Sequence, residues 1–226
     1  FQRASCYARL VTYFGDVVYV TSVVDIEEAF TLGRTPKSEI VPKIYEDYDK
    51  AAEGLPEKYT GVSSLRATKG AALALKARFA LYMGDWEIAA DAAKKCMDLG
   101  LYKLHADYAE LFLTTTKNSE ESIFLLPRSI EYKVTLGNWT VMNEVSRNPG
   151  GWGAFAPSWD LLAAYECIDG LPIDESPLFD PQNPFKNRDP RCTATIVEFG
   201  TRHLGFDYNP HPDAVEVMNY NTGKMQ

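Results

Sequence analysis

Residues 66–102, RATKGAALALKARFALYMGDWEIAADAAKKCMDLGLY, limit the fold more than any other stretch of this chain. Two alanine-rich amphipathic segments flank Gly84-Asp85, where the chain must reverse. Ala77, Ala80, Ala89, Ala93 and Cys96 recur at helical spacing, so two helices can approach closely. Trp86 follows the turn and Ala89 stands three residues on, which fits one tetratricopeptide-like repeat. A unit of this kind cannot bury its own apolar face and needs neighbouring helices on both sides. The segment is therefore a scaffold, and function must come from what decorates it.

Composition narrows the classes. The chain has 226 residues, 46% hydrophobic and 24% charged, enough for one large domain with a core of its own. Its net charge is −8. No basic stripe exists to neutralise phosphates or to dock on an anionic membrane surface. Aromatic residues reach 12%, including 13 Tyr and 4 Trp. Most belong in a core, and a few exposed rings would suit stacking on sugars. Cys6, Cys96, Cys167 and Cys192 show no paired spacing and read as buried free thiols. No signal peptide, lipobox cysteine or apolar run of spanning length is present, and Phe1 already reads as part of a helix.

The pattern predicts a helix over 3–14 and an extended connector over 17–24. Thr35 is the expected N-cap of the next helix, with Pro36 at its first position and Pro42 predicting a kink or a later start. Asp107–Phe112 reads as a short helix, Ser122–Pro127 as a strand, and Cys192–Phe199 as another strand. Pro157 or Ser158 should start a helix through Tyr165. Residues 129–156 keep no period, and the last stretch reads as loop. The chain thus reads as one domain, 1–226, with a helical scaffold over 1–128 and a loop-rich ligand side over 129–226. The fold class is mostly α: tetratricopeptide-like helix pairs in an αα superhelix, a loop-rich face and a few short strands.

A long loop inside a compact domain is more often functional than linker. Asn138, Trp139, Asn143, Arg147 and Trp152 are its candidate glycan-binding residues. A flat indole packs on the axial C–H face of a sugar, while Asn amides and an Arg fork bond the hydroxyl rim. The competing reading has the tryptophans pinning the loop to the core, most of all Trp152, which lies near a helix entry. Asp180, Asn183, Asn187 and Asp189 offer oxygen ligands but lack the calcium-loop pattern, so turns beside prolines are expected. His105, His203 and His211 have no metal-site spacing. Neither a metal nor a cofactor is expected. No nucleophile or phosphate-loop motif occurs, and Glu166 with Asp169 is the pair a glycosidase reading would choose.

Several motifs, in order, carry a resemblance. Arg3-Ala4, Tyr7, Leu10 and Phe14-Gly15-Asp16 come first, then Arg34-Thr35-Pro36 and the 66–93 hairpin. Tyr108–Phe112, Asn118–Phe124, Pro157–Gly170 and Asp180–Arg191 follow. The ordered set resembles the SusD/RagB family of outer-membrane nutrient-binding lipoproteins of Bacteroidetes. That resemblance implies a non-catalytic binder of glycan or another nutrient at the bacterial cell surface. It also implies a SusC-like TonB-dependent transporter as partner, a lipid anchor as the only tie to the membrane, and a longer parent of which this chain is a piece. Two other readings stay open: a tetratricopeptide-type protein-interaction scaffold, and a glycan-active hydrolase. Glu166-Cys167-Ile168-Asp169 falls in a family motif that resembles a helix end.

Overall fold

The computed structural model describes residues 1–61, 65–126, 128–211 and 213–226, with Asn138 described by its backbone alone. The chain divides into two compact units. The first comprises Phe1–Ala106 and Lys117–Pro127; the second comprises Asp107–Thr116 and Arg128–Gln226. The fold is mostly helical, with tetratricopeptide-like helix packing in the first unit and a few short strands in the second.

The first unit holds α1 (Gln2–Phe14), α2 (Ile26–Ala29), α3 (Lys37–Gly54), α4 (Lys69–Met83) and α5 (Trp86–Asp98). Helix α1 packs on α3 and α4, α3 on α4, and α4 most extensively on α5. Their shared core includes Ala4, Val11, Ile40, Ile44, Tyr48 and Phe79, so the apolar stripes seen in the sequence are the buried faces. Arg3 grips Asp47 through two hydrogen bonds of 2.6 Å and joins α1 to α3. The Tyr7 hydroxyl takes the Val20 amide at 2.8 Å and donates to its carbonyl at 3.1 Å, pinning the extended connector.

The caps explain the boundaries. Helix α3 starts at Lys37 with Pro36 as its N-cap residue, one position later than the sequence reading placed it. The capping oxygen comes from afar: Asp16 Oδ1 accepts the Lys37 amide at 2.7 Å. The helix starts before Pro42 and runs on through it to Gly54. Thr68 caps α4 by accepting the Ala71 amide, and Gly84 ends it at φ +80°, a left-handed conformation that glycine adopts without steric cost. Lys76 is buried on α4, its stem packed and its ammonium 2.7 Å from Asp49 and 5.8 Å from the Tyr45 ring centroid.

The hairpin crossing uses Ala80, Ala89 and Cys96, as the spacing predicts, with Ala92 rather than Ala93 fully buried and Ala77 only half-buried. Ala80→Leu should therefore overpack the crossing and cost about 1–3 kcal/mol in thermal or denaturant unfolding. Ala77→Leu should cost clearly less. Equal melting points for the two variants would refute this assignment of the crossing residues.

The second unit is built from short pieces. Helices α6 (Asn138–Glu144), α7 (Trp159–Ala164) and α8 (Pro190–Thr195) are followed by β1 (Arg202–His203), β2 (Phe206–Asp207), β3 (Met218–Asn219) and β4 (Lys224–Met225). The strands form one antiparallel sheet in the order β1-β2-β3-β4, with Arg202 opposite Asp207 and Met218 opposite Met225. Leu162, Phe185, Cys192 and Ile196 form the core of this unit, with Tyr165 packed against it.

Five expectations are corrected here. Asp107–Phe112 contains a 3-10 turn at Glu110–Phe112 in place of an α-helix. Residues 122–126 form no strand: Ser122 turns back on Ser119, no strand pairs with the segment, and Phe124 instead meets Phe1 edge-on at 5.5 Å. The Pro127 end of that reading lies outside the described residues. Residues 192–195 are helical, because Asp189 accepts the Arg191 amide and Pro190 occupies the first helical position. Cys192 and Ile196, four residues apart, then share one buried face. The final stretch, read as loop, carries all four strands. Finally, the 129–156 loop contains α6. Of the four cysteines, all free, Cys96, Cys167 and Cys192 are buried as expected while Cys6 is exposed.

Candidate functional site

Helix α6 has seven residues, too few to stand alone in water. The returning chain completes it. Trp152 donates its amide to Met142 O at 2.7 Å, Phe155 to Asn143 O at 2.9 Å, Gly153 to Val145 O at 2.9 Å and Gly151 to Ser146 O at 2.9 Å. Met142 O and Asn143 O are carbonyls of the last turn that a helix end leaves without intrahelical partners. The return is tight enough to exclude a side chain at Gly151, where a Cβ would lie 2.0 Å from Val145 O.

The fold brings Trp139 and Trp152 together. Their ring centroids are 4.6 Å apart with planes at 67°, an edge-to-face pair. Trp139 is 73% exposed and Trp152 41% exposed. Both indoles therefore keep open surface while each limits the other's rotation, and together they form an aromatic corner. Asn138 opens α6 at the backbone level. Asn143 is half-buried and its carbonyl is the one that anchors Phe155. Arg147 is exposed in the turn that begins the return, where its carbonyl accepts the Gly150 amide.

A second concavity in the same unit was not legible in the sequence. It encloses about 430 Å³ and its walls carry Phe155, Trp159, Phe199 and Tyr208. Its floor is the buried Leu162, Phe185 and Ile196. Glu144, Ser146 and His203 supply polar groups. These residues come from α6, the return loop, α7, α8 and β1, so no local motif announces them. The only sequence signal is the number of aromatic residues after position 150.

The other candidates have structural tasks. Asp180 accepts Asn183 Nδ2 at 2.7 Å and the Gln182 amide at 2.9 Å, and the Asn183 bond chiefly holds its carboxyl below the ordinary range. Asn187 donates to Leu178 O at 3.0 Å, and Asp189 is held low by the Arg191 guanidinium. Oxygens that already accept such bonds describe turns. Among the described residues no cluster of His, Cys, Asp and Glu is arranged to hold a metal ion. Asp169 accepts the Leu171 amide at 3.2 Å and the Ser176 hydroxyl at 2.8 Å, closing the turn after α7, while Glu166 is exposed. His105 meets Ser119 at 3.2 Å in the first unit, whereas His203 and His211 lie in the second.

Comparison with known proteins places these features in context. A family model described as "Starch-binding associating with outer membrane" matches residues 1–81, and one described as "SusD family" matches residues 120–225. SusD-like protein P25 of Formosa agariphila is 27% identical over 232 residues, covering 92% of this chain and 43% of that protein. SusD-like protein P2 of the same bacterium is 31% identical over 131 residues, covering 56% of this chain and 26% of that protein. Among solved structures, a SusD-like carbohydrate-binding protein from Bacteroides fragilis superposes with a TM-score of 0.82 at 33% identity, over 93% of this chain and 41% of that one. A second SusD-like protein from the same species gives a TM-score of 0.69 at 30% identity, over 88% and 42%. The chain thus spans less than half the length of each of these relatives.

Proposed function

Because this chain belongs to the SusD/RagB family, we propose that it is the glycan-contacting part of a non-catalytic nutrient-binding protein at the bacterial outer-membrane surface. The observation that carries this reading is the exposed Trp139–Trp152 corner, held by backbone hydrogen bonds on the return from α6. A rigid indole offers a sugar ring an apolar platform and loses little conformational freedom on binding. Asn143 and Arg147 belong to the same helix and the turn after it, and on this reading they are the hydroxyl partners of the sugar. In the parent protein a lipid anchor would hold the domain at the membrane, and a SusC-like TonB-dependent transporter would receive the glycan. Among the described residues no helix is long and apolar enough to cross a membrane.

The test is calorimetry against a glycan array hit. Trp139→Ala should weaken binding by about 1–3 kcal/mol, by analogy with a base stacked on an aromatic ring. Its melting point should hold, because the ring is 73% exposed. Undiminished affinity would remove this corner from the site. Release of reducing ends from a polysaccharide panel, lost in Glu166→Gln, would overturn the non-catalytic reading.

A further inference from the structure

We propose that the aromatic cleft between α7, α8 and β1 is a second glycan subsite, and that it takes an uncharged sugar unit. This rests on the glycan-binding reading and adds a distinct site and a ligand class to it. Three features of the cleft carry the inference. First, its size suits a small ligand: about 430 Å³ lies within the range of pockets that bury one. Second, its walls are rings with open surface. Trp159 is 60% exposed and Phe155 65% exposed, so both expose apolar area that a C–H face of a sugar can cover. Phe199 is set edge-on against the buried Phe185 at 5.0 Å, which fixes one wall to the core of the unit. Third, the polar groups are selective. Glu144 brings a carboxylate, and Ser146, Ser158, Thr195 and Tyr208 bring neutral hydroxyls.

No lysine or arginine is among the described residues that line the cleft. A uronate or sulfated sugar would enter beside the Glu144 carboxylate with no lysine or arginine to pair it and only the His203 imidazole within the cleft, and covering a poorly paired charge with apolar walls is costly. A neutral sugar meets the same wall without that penalty, and its hydroxyls can donate to the carboxylate. The aromatic corner differs, since Arg147 stands near it in the chain and could pair an anionic group. The two sites are adjacent in sequence: Glu144 and Ser146 line the cleft while Asn143 and Arg147 flank them, and Trp152 precedes Gly153 and Phe155 of the cleft.

The experiment compares wild type, Trp159→Ala, Phe155→Ala and Trp139→Ala by titration with the neutral and acidic oligosaccharides of a glycan array, with melting curves for each. The expected result is binding of neutral members, weakened at least about fivefold in Trp159→Ala or Phe155→Ala at unchanged melting temperature. Glu144→Arg should shift preference towards acidic members. Wild-type affinity in both cleft variants, beside a loss in Trp139→Ala, would overturn the subsite and leave the corner standing. A loss in the cleft variants alone would support the subsite and remove the corner. A wild-type preference for acidic glycans that survives in Trp139→Ala would overturn the ligand class. Binding of no glycan by the wild type would count against both readings.

Discussion

Replacing Arg188 by methionine should cost about 3–5 kcal/mol of unfolding free energy, because it strips the hydrogen-bond donor from three carbonyls at about 1–3 kcal/mol for each one left unsatisfied. Arg188 is 5% exposed, and no described carboxylate pairs with it. Its guanidinium instead donates to three backbone carbonyls: Pro184 at 2.7 Å, Leu162 at 2.5 Å and Tyr165 at 2.6 Å. Leu162 and Tyr165 lie at the C-terminal end of α7, where helical carbonyls lack intrahelical partners and the dipole favours a cation. One side chain therefore closes α7 and ties it to the 184–188 turn. Methionine fills similar volume but leaves all three acceptors buried and unbonded. Arg188→Lys should recover only part of the loss, because an ammonium cannot reproduce the planar fork. Urea unfolding of the three proteins is the measurement. A methionine variant as stable as wild type would show that the three bonds carry little net stability.

Gly151→Ala should have the second-largest effect, on stability and on binding together. An alanine Cβ at this position would lie 2.0 Å from Val145 O and 2.4 Å from Val145 C. Both are backbone atoms, so no rotamer change can relieve the clash. The returning chain must move away from α6, at about 1–3 kcal/mol, and the Trp152 amide then draws away from Met142 O. The edge-to-face pair should come apart with it. The expected readout is a weakened near-ultraviolet circular dichroism signal from tryptophan and a glycan affinity reduced as much as in Trp139→Ala. Gly137→Ala is the control, because nothing lies within 4 Å of a Cβ there. Native tryptophan ellipticity in Gly151→Ala would mean that the return loop adapts, and that the corner does not depend on this close approach.

Local chemistry and tertiary structure divided the outcome along a physical line. The sequence by itself determined the first unit's α4–α5 hairpin: a threonine cap at 68, alanines at the crossing and a glycine at 84 that tolerates a positive φ. It determined the start of α7 as well, since Ser158 accepts the Leu161 amide at 3.1 Å. Each of these rests on interactions between residues a few positions apart, which a single sequence displays. Family membership was legible for a related reason, because its motifs are short and follow one another in order. Tertiary structure alone decided the rest. Helix α6 exists because the Trp152 and Phe155 amides, ten and twelve residues downstream, satisfy the Met142 and Asn143 carbonyls of its last turn, and composition gives no sign of that return. The segment after Pro190 became helix rather than strand because burying Cys192 and Ile196 on one face outweighed a weak alternating pattern. The placement of Trp139 against Trp152, and of Phe155 and Trp159 opposite Phe199 and Tyr208, depends on contacts between residues distant in the chain. Such contacts are set by packing a whole unit, and no local pattern encodes them.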